Sequence, residues 1–62
     1  MAHKLSADRH NAALDAFIAK TADDTPEADA YAKAINKHQW AIVERGEFGM
    51  DDAFVLAVEA NA

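Results

Sequence analysis

The sequence predicts an all-α fold, a compact domain of three helices. Apolar residues recur at helical spacing through three segments, and each segment begins or ends at a residue suited to capping a helix. The predicted helices cover residues 7–20, 26–45 and 51–60, and residues 1–5 are expected to fray. The whole chain, residues 1–62, is expected to form this single domain.

The first predicted helix begins after Ser6, whose hydroxyl can accept a hydrogen bond from a backbone N–H of the first turn. Asp8 lies in that first turn, where a negative charge interacts favourably with the helix dipole. Projection at about 100° per residue predicts five residues on the buried side: His10, Ala13, Leu14, Phe17 and Ile18.

The second predicted helix has the strongest boundary signals. Thr25 can act as the N-cap, and Pro26 suits the first helical position because its missing N–H needs no acceptor there. Gly46 suits the left-handed conformation that commonly ends a helix. The apolar side centres on Ile35, and Trp40 falls outside it among polar residues. The sequence is compatible with an exposed Trp40 and with a Trp40 covered by the segment that follows Gly46.

The third predicted helix, which Gly49 or Asp51 can cap, is apolar on almost every side. Phe54 and Leu56 point in nearly opposite directions. A helix that is apolar all round is normally buried on all sides. The other two helices are expected to cover the Phe54 side, but not Val55 and Leu56 together.

A β-structure alternative exists at two places. Residues 40–48 could alternate as a hairpin, and residues 54–56 are rich in strand formers. The helical pattern runs unbroken into the first place, and alanine and aspartate flank the second, which disfavours a strand. The three-helix prediction is therefore preferred.

The composition limits the size of the hydrophobic core. Hydrophobic residues make up 52% of the chain, but 16 of them are alanines, each of which buries little area. A small domain usually needs disulfides, a metal or oligomerisation, and the chain has no cysteine. The sequence therefore predicts a protein-interaction or regulatory module, a homodimer formed through the third helix. The predicted protein-binding residues are Trp40, Phe48, Phe54, Val55 and Leu56.

The net charge of −5 suggests a second possibility, a monomeric inhibitor or regulator that binds a basic partner surface. Its acidic residues would include two adjacent pairs, Asp23-Asp24 and Asp51-Asp52. Both pairs are expected to lie in exposed segments.

A small helix-turn-helix-like nucleic-acid-binding domain is the third possibility, because the helix lengths and the turn at residues 46–49 fit it. The helix after the turn contains no basic residue, although recognition helices need them. Only Lys33, Lys37 and Trp40 could contact phosphate or a base. Nucleic acid is therefore disfavoured as a partner.

The sequence lacks the patterns of catalytic and metal-binding sites. His3, His10 and His38 do not form an i, i+4 pair, and no glycine-rich phosphate loop is present. No enzyme activity, cofactor or metal site is predicted; His10 and His38 are each expected at the core edge with one hydrogen bond. No apolar run reaches the ~20 residues of a membrane span, and residues 1–6 do not resemble a signal peptide. A cytoplasmic protein without membrane contact is expected.

Overall fold

A computed structural model describes residues 5–62, which form three helices: α1 (Ala7–Thr21), α2 (Pro26–Glu44) and α3 (Met50–Ala60). No strand occurs within residues 5–62. The all-α, three-helix prediction is confirmed, and each helix differs from its predicted bounds by one residue at one end. The expected fraying concerns residues 1–5; residues 1–4 lie outside the described part, and Leu5 packs against the core.

Local capping interactions explain these boundaries. The side-chain oxygens of Ser6 and Thr25 each accept a hydrogen bond from the backbone N–H three residues later, at 3.3 and 3.1 Å. Gly46 has a φ of +81°, and its N–H bonds a carbonyl of the last turn of α2 at 2.9 Å. This left-handed residue ends α2 as predicted, because glycine adopts positive φ without steric cost. Gly49 is the N-cap of α3 and contributes no side-chain bond.

The helix α3 packs against both other helices and is buried on opposite sides. Val55 has no exposed surface, and neither do Ala53 and Ala57, which point the other way. Leu56 is half-buried and packs against the core. The expectation that α1 and α2 cannot cover Val55 and Leu56 together is therefore wrong for Val55, which is fully covered, whereas Leu56 keeps part of its surface exposed. Residues 5–62 therefore bury both of these sides of α3, that of Val55 and that of the two alanines, without a partner.

The helix α1 turns a different side to the core than its apolar stripe suggests. Ala13 is buried and Phe17 packs against the core, but Leu14 and Ile18 are 48% and 60% exposed. The predicted burial of Leu14 and Ile18 is wrong. In residues 5–62 the large apolar side chains that are exposed (Leu14, Ile18, Trp40 and Met50) equal in number those that are buried (Ile35, Ile42, Val55 and Val58).

We expect Ile35→Val to lower the free energy of unfolding by about 0.5–1.5 kcal/mol, because a methylene group is removed from a side chain that is 1% exposed. Urea denaturation in dilute solution measures this change. Ile18→Val is the matched control and should shift stability by less than about 0.5 kcal/mol. Equal effects of the two substitutions would contradict the burial described above.

Candidate protein-binding surface

The five predicted protein-binding residues lie in four different places. Val55 is in the core and offers no surface to a partner. Phe48 and Leu56 line a crevice together with His38. Phe54 lines a separate groove, and Trp40 lies half exposed on α2. The structure therefore does not bring these residues together into one interface.

The groove that Phe54 lines is formed by all three helices. Its lining consists of His10 and Leu14 from α1, Gln39 from α2, and Asp51 and Phe54 from α3. The side-chain amide of Gln39 donates a hydrogen bond to the backbone carbonyl of residue 50 at 2.8 Å. This bond ties α2 to the first turn of α3 at one wall of the groove.

Two large apolar side chains, Leu14 and Phe54, line this groove. Ile18, Trp40 and Met50 are exposed on the same three helices, and we call the set of Leu14, Ile18, Trp40, Met50 and Phe54 the apolar face. Ile18 follows Leu14 by one helical turn, and Met50 precedes Phe54 by one turn. Trp40 comes directly after Gln39 and points about 100° further around α2. Sequence reasoning assigned Leu14 and Ile18 to the core, so it missed them as surface residues.

An aromatic cluster holds the floor of the groove in place. The rings of Phe17 and Phe54 lie 5.3 Å apart in an edge-on arrangement, and Tyr31 lies 5.8 Å from Phe17. Lys20 places its Nζ 4.9 Å from the Tyr31 ring centroid. Such contacts stabilise aromatic pairs beyond their buried area. The ring of Phe54 is therefore supported from beneath by α1.

A buried carboxylate sets the position of α1 on α3. Asp52, 7% exposed, accepts a hydrogen bond from the backbone N–H of Leu5 at 3.3 Å and lies 3.0 Å from His10 Nε2. The expectation that both residues of the Asp51-Asp52 pair are exposed is wrong for Asp52. Burial is tolerated because the carboxylate has partners and lies in the first turn of α3, where the helix dipole favours negative charge.

A second polar contact between α1 and α3 lies on the surface. Arg9 donates from Nε to one carboxylate oxygen of Glu59 at 2.9 Å and from Nη2 to the other. This hydrogen bond lowers the pKa of Glu59 and raises the pKa of Arg9. The paired geometry fixes direction as well as distance. Together with Asp52, it presents Leu14 beside Phe54.

The crevice on the other side of α3 contains the second histidine. His38 Nδ1 lies 3.3 Å from the Asn61 side-chain nitrogen, while Ile42, Phe48 and Leu56 form apolar walls. Each of His10 and His38 is half-buried with one side-chain partner, as expected. In residues 5–62 no group of three or more His, Cys, Asp or Glu residues is placed to hold a metal ion.

The acidic surface considered for a basic partner is exposed except for the buried Asp52, and the basic surface considered for nucleic acid is exposed. Asp23 and Asp24 are exposed in the segment between α1 and α2, and Lys33 and Lys37 are exposed on α2. Lys33 Nζ lies 3.0 Å from a carboxylate oxygen of Asp29. Both side chains are mostly exposed, so this ion pair contributes little to stability.

Comparison of the chain with protein-family profiles, with curated proteins and with solved structures gave no match. None of the described helices is long and apolar enough to cross a membrane.

We expect Asp52→Ala to lower the free energy of unfolding by about 1–3 kcal/mol, because it leaves the Leu5 N–H and His10 without their acceptor. Thermal or urea denaturation measures the loss. Asp51→Ala is the matched control, since it removes an exposed carboxylate from the same helical turn and should cost less than about 0.5 kcal/mol. Similar losses in both variants would show that Asp52 acts only through the helix dipole.

We expect Glu59 to titrate below its ordinary value of 4.5, because Arg9 donates hydrogen bonds to its ionised form. The ion pair therefore supports folding above the ordinary pKa, and this contribution is lost as the pH falls through the lowered value. Carboxyl chemical shifts followed by NMR measure the titration. In Arg9→Gln the Glu59 pKa should rise towards 4.5, whereas an unchanged value would contradict the assigned cause.

Proposed function

We propose that this chain is a protein-interaction module that forms a homodimer through the apolar face. The observation that supports this proposal most directly is that, within residues 5–62, four large apolar side chains are exposed and four are buried. Four of the five residues of the apolar face are these exposed side chains, and the fifth, Phe54, is half-buried. Exposed apolar surface of this extent supports an interaction site.

The exposed area supports this proposal. Leu14, Ile18, Trp40 and Met50 are 40–60% exposed, which together amounts to roughly 400 Å² at about 200 Å² for a large apolar residue. A standard interface buries about 800 Å² on each partner, of which somewhat more than half is apolar. When the exposed part of its fifth residue, Phe54, is included, the apolar face supplies an apolar area of that size.

A second copy is the occupant that the composition favours. The buried core contains four large apolar side chains besides its alanines, and small domains of this kind commonly gain stability by oligomerisation. A two-fold dimer uses the same patch on both subunits, so it covers both exposed faces at once. The helix α3 takes part through Met50 and Phe54, while α1 and α2 supply the other three residues.

We expect Leu14→Glu to raise the dimer dissociation constant by at least about 30-fold, because it places an unpaired carboxylate in the interface at a cost of about 2 kcal/mol or more. Sedimentation equilibrium from micromolar to millimolar concentration measures the constant. The single tryptophan, Trp40, provides a second readout, since its emission should shift to shorter wavelength as the dimer forms.

Ala12→Glu is the matched control for charge. Ala12 is exposed about 160° around α1 from Leu14, so the added carboxylate should leave association unchanged. A wild-type chain that stays a 6.7 kDa monomer at millimolar concentration would overturn the proposal. Equal weakening in both variants would place the contact elsewhere.

A further inference from the structure

We infer that the crevice beside His38 is a binding site for a free α-amino acid with an apolar side chain. The crevice lies between α2, α3 and the turn that joins them, and it has a volume of about 240 Å³. None of its lining residues belongs to the apolar face, so this inference goes beyond the proposed homodimer and does not depend on it. It follows from the apolar walls of the crevice and from two opposite charges on the same turn.

The apolar walls of the crevice come from three elements. Ile42 on α2 is 6% exposed, while Leu56 on α3 and Phe48 in the connecting turn are half-buried. All three side chains belong to the hydrophobic core or pack against it, so the walls are held in place without a ligand. Small-molecule sites are mostly apolar cavities of this preformed kind, in which a few polar groups fix the orientation of the ligand.

Asn61 holds the histidine of the crevice in one tautomer. The side-chain nitrogen of Asn61 donates a hydrogen bond to the carbonyl of Ala57 at 2.7 Å and lies 3.3 Å from His38 Nδ1. Because an amide nitrogen only donates, Nδ1 is the acceptor of this pair and the ring carries its proton on Nε2. In this arrangement His38 brings no charge to the crevice, and the charged groups come from the turn.

Two opposite charges line the crevice from the turn at the end of α2. Arg45 and Glu47 flank Gly46, and both are exposed. Their Cα atoms are two residues apart along the chain, a separation of at most about 7 Å. Neither side chain makes an ion pair within residues 5–62, with the other or with a third residue. The turn therefore offers a ligand one cation and one anion side by side.

An α-amino acid matches this combination. Its carboxylate and its ammonium group are attached to the same carbon, so Arg45 and Glu47 can bind one each. An apolar side chain on that carbon would then lie against Ile42, Phe48 and Leu56. A carboxylate without an ammonium group would instead face the like charge of Glu47, and an amine without a carboxylate would face that of Arg45. The volume is below the about 300–1,000 Å³ of most ligand pockets, which suits a molecule this small.

Titration with L-leucine, followed by two-dimensional NMR, tests the site. We expect saturable shifts at Ile42, Phe48 and Leu56 with a millimolar dissociation constant, since a ligand of about nine non-hydrogen atoms makes few contacts. Isocaproate lacks the ammonium group and isopentylamine lacks the carboxylate, so each should bind at least about threefold more weakly than leucine. Equal binding of either analogue would overturn the assignment to an amino acid. An absence of saturable shifts at high millimolar leucine would overturn the site itself.

Removal of the two charges provides matched variants. Arg45→Gln and Glu47→Gln should each raise the leucine dissociation constant about threefold. In Glu47→Gln the preference for leucine over isocaproate should also disappear. Lys37→Gln and Glu44→Gln are the controls, because they remove exposed charges of α2 that do not line the crevice, and they should leave the constant unchanged. Equal effects in the crevice variants and the controls would overturn the inference.

Discussion

Burial of α3 between the other two helices is the constraint on which the rest of the structure depends. Its apolar residues point in all directions, and a domain of this size has little other apolar surface with which to drive folding. The chain satisfies the constraint by placing α1 against one side and α2 against the other, held by Asp52 and the Arg9–Glu59 pair. The position of every other apolar side chain follows from that arrangement.

The exposed position of Leu14 and Ile18 is one result. Because α1 contacts α3 through Ala13 and Phe17, its two other large aliphatic residues lie at the edge of the contact. A helix held to its neighbour by a small residue and by polar bonds can approach closely, but it buries little apolar area. The apolar face thus consists of apolar residues that stay exposed when α1 and α2 pack on α3. We propose that a second copy of the chain binds this face.

The helices and their ends could be predicted from the sequence because they depend on local signals, as Ser6, Thr25-Pro26 and Gly46 illustrate. The burial of individual side chains could be predicted less accurately than the helix boundaries. Periodicity identifies an apolar side but does not show which flank faces the core, so Leu14 was placed inside and Val55 outside. The burial of Asp52 depends on groups 42 and 47 residues away in sequence, and no local pattern indicates such a contact.

The opposite orientations of Phe54 and Leu56 have a mechanical consequence. Phe54 lines the groove, and Leu56 lines the crevice beside His38. The helix α3 therefore separates the groove from the crevice and contributes a side chain to each. A helix moves as a rigid rod over so short a length. A displacement of α3 along its axis would therefore change the shapes of the groove and the crevice together. A change in either shape would indicate that the helix has moved.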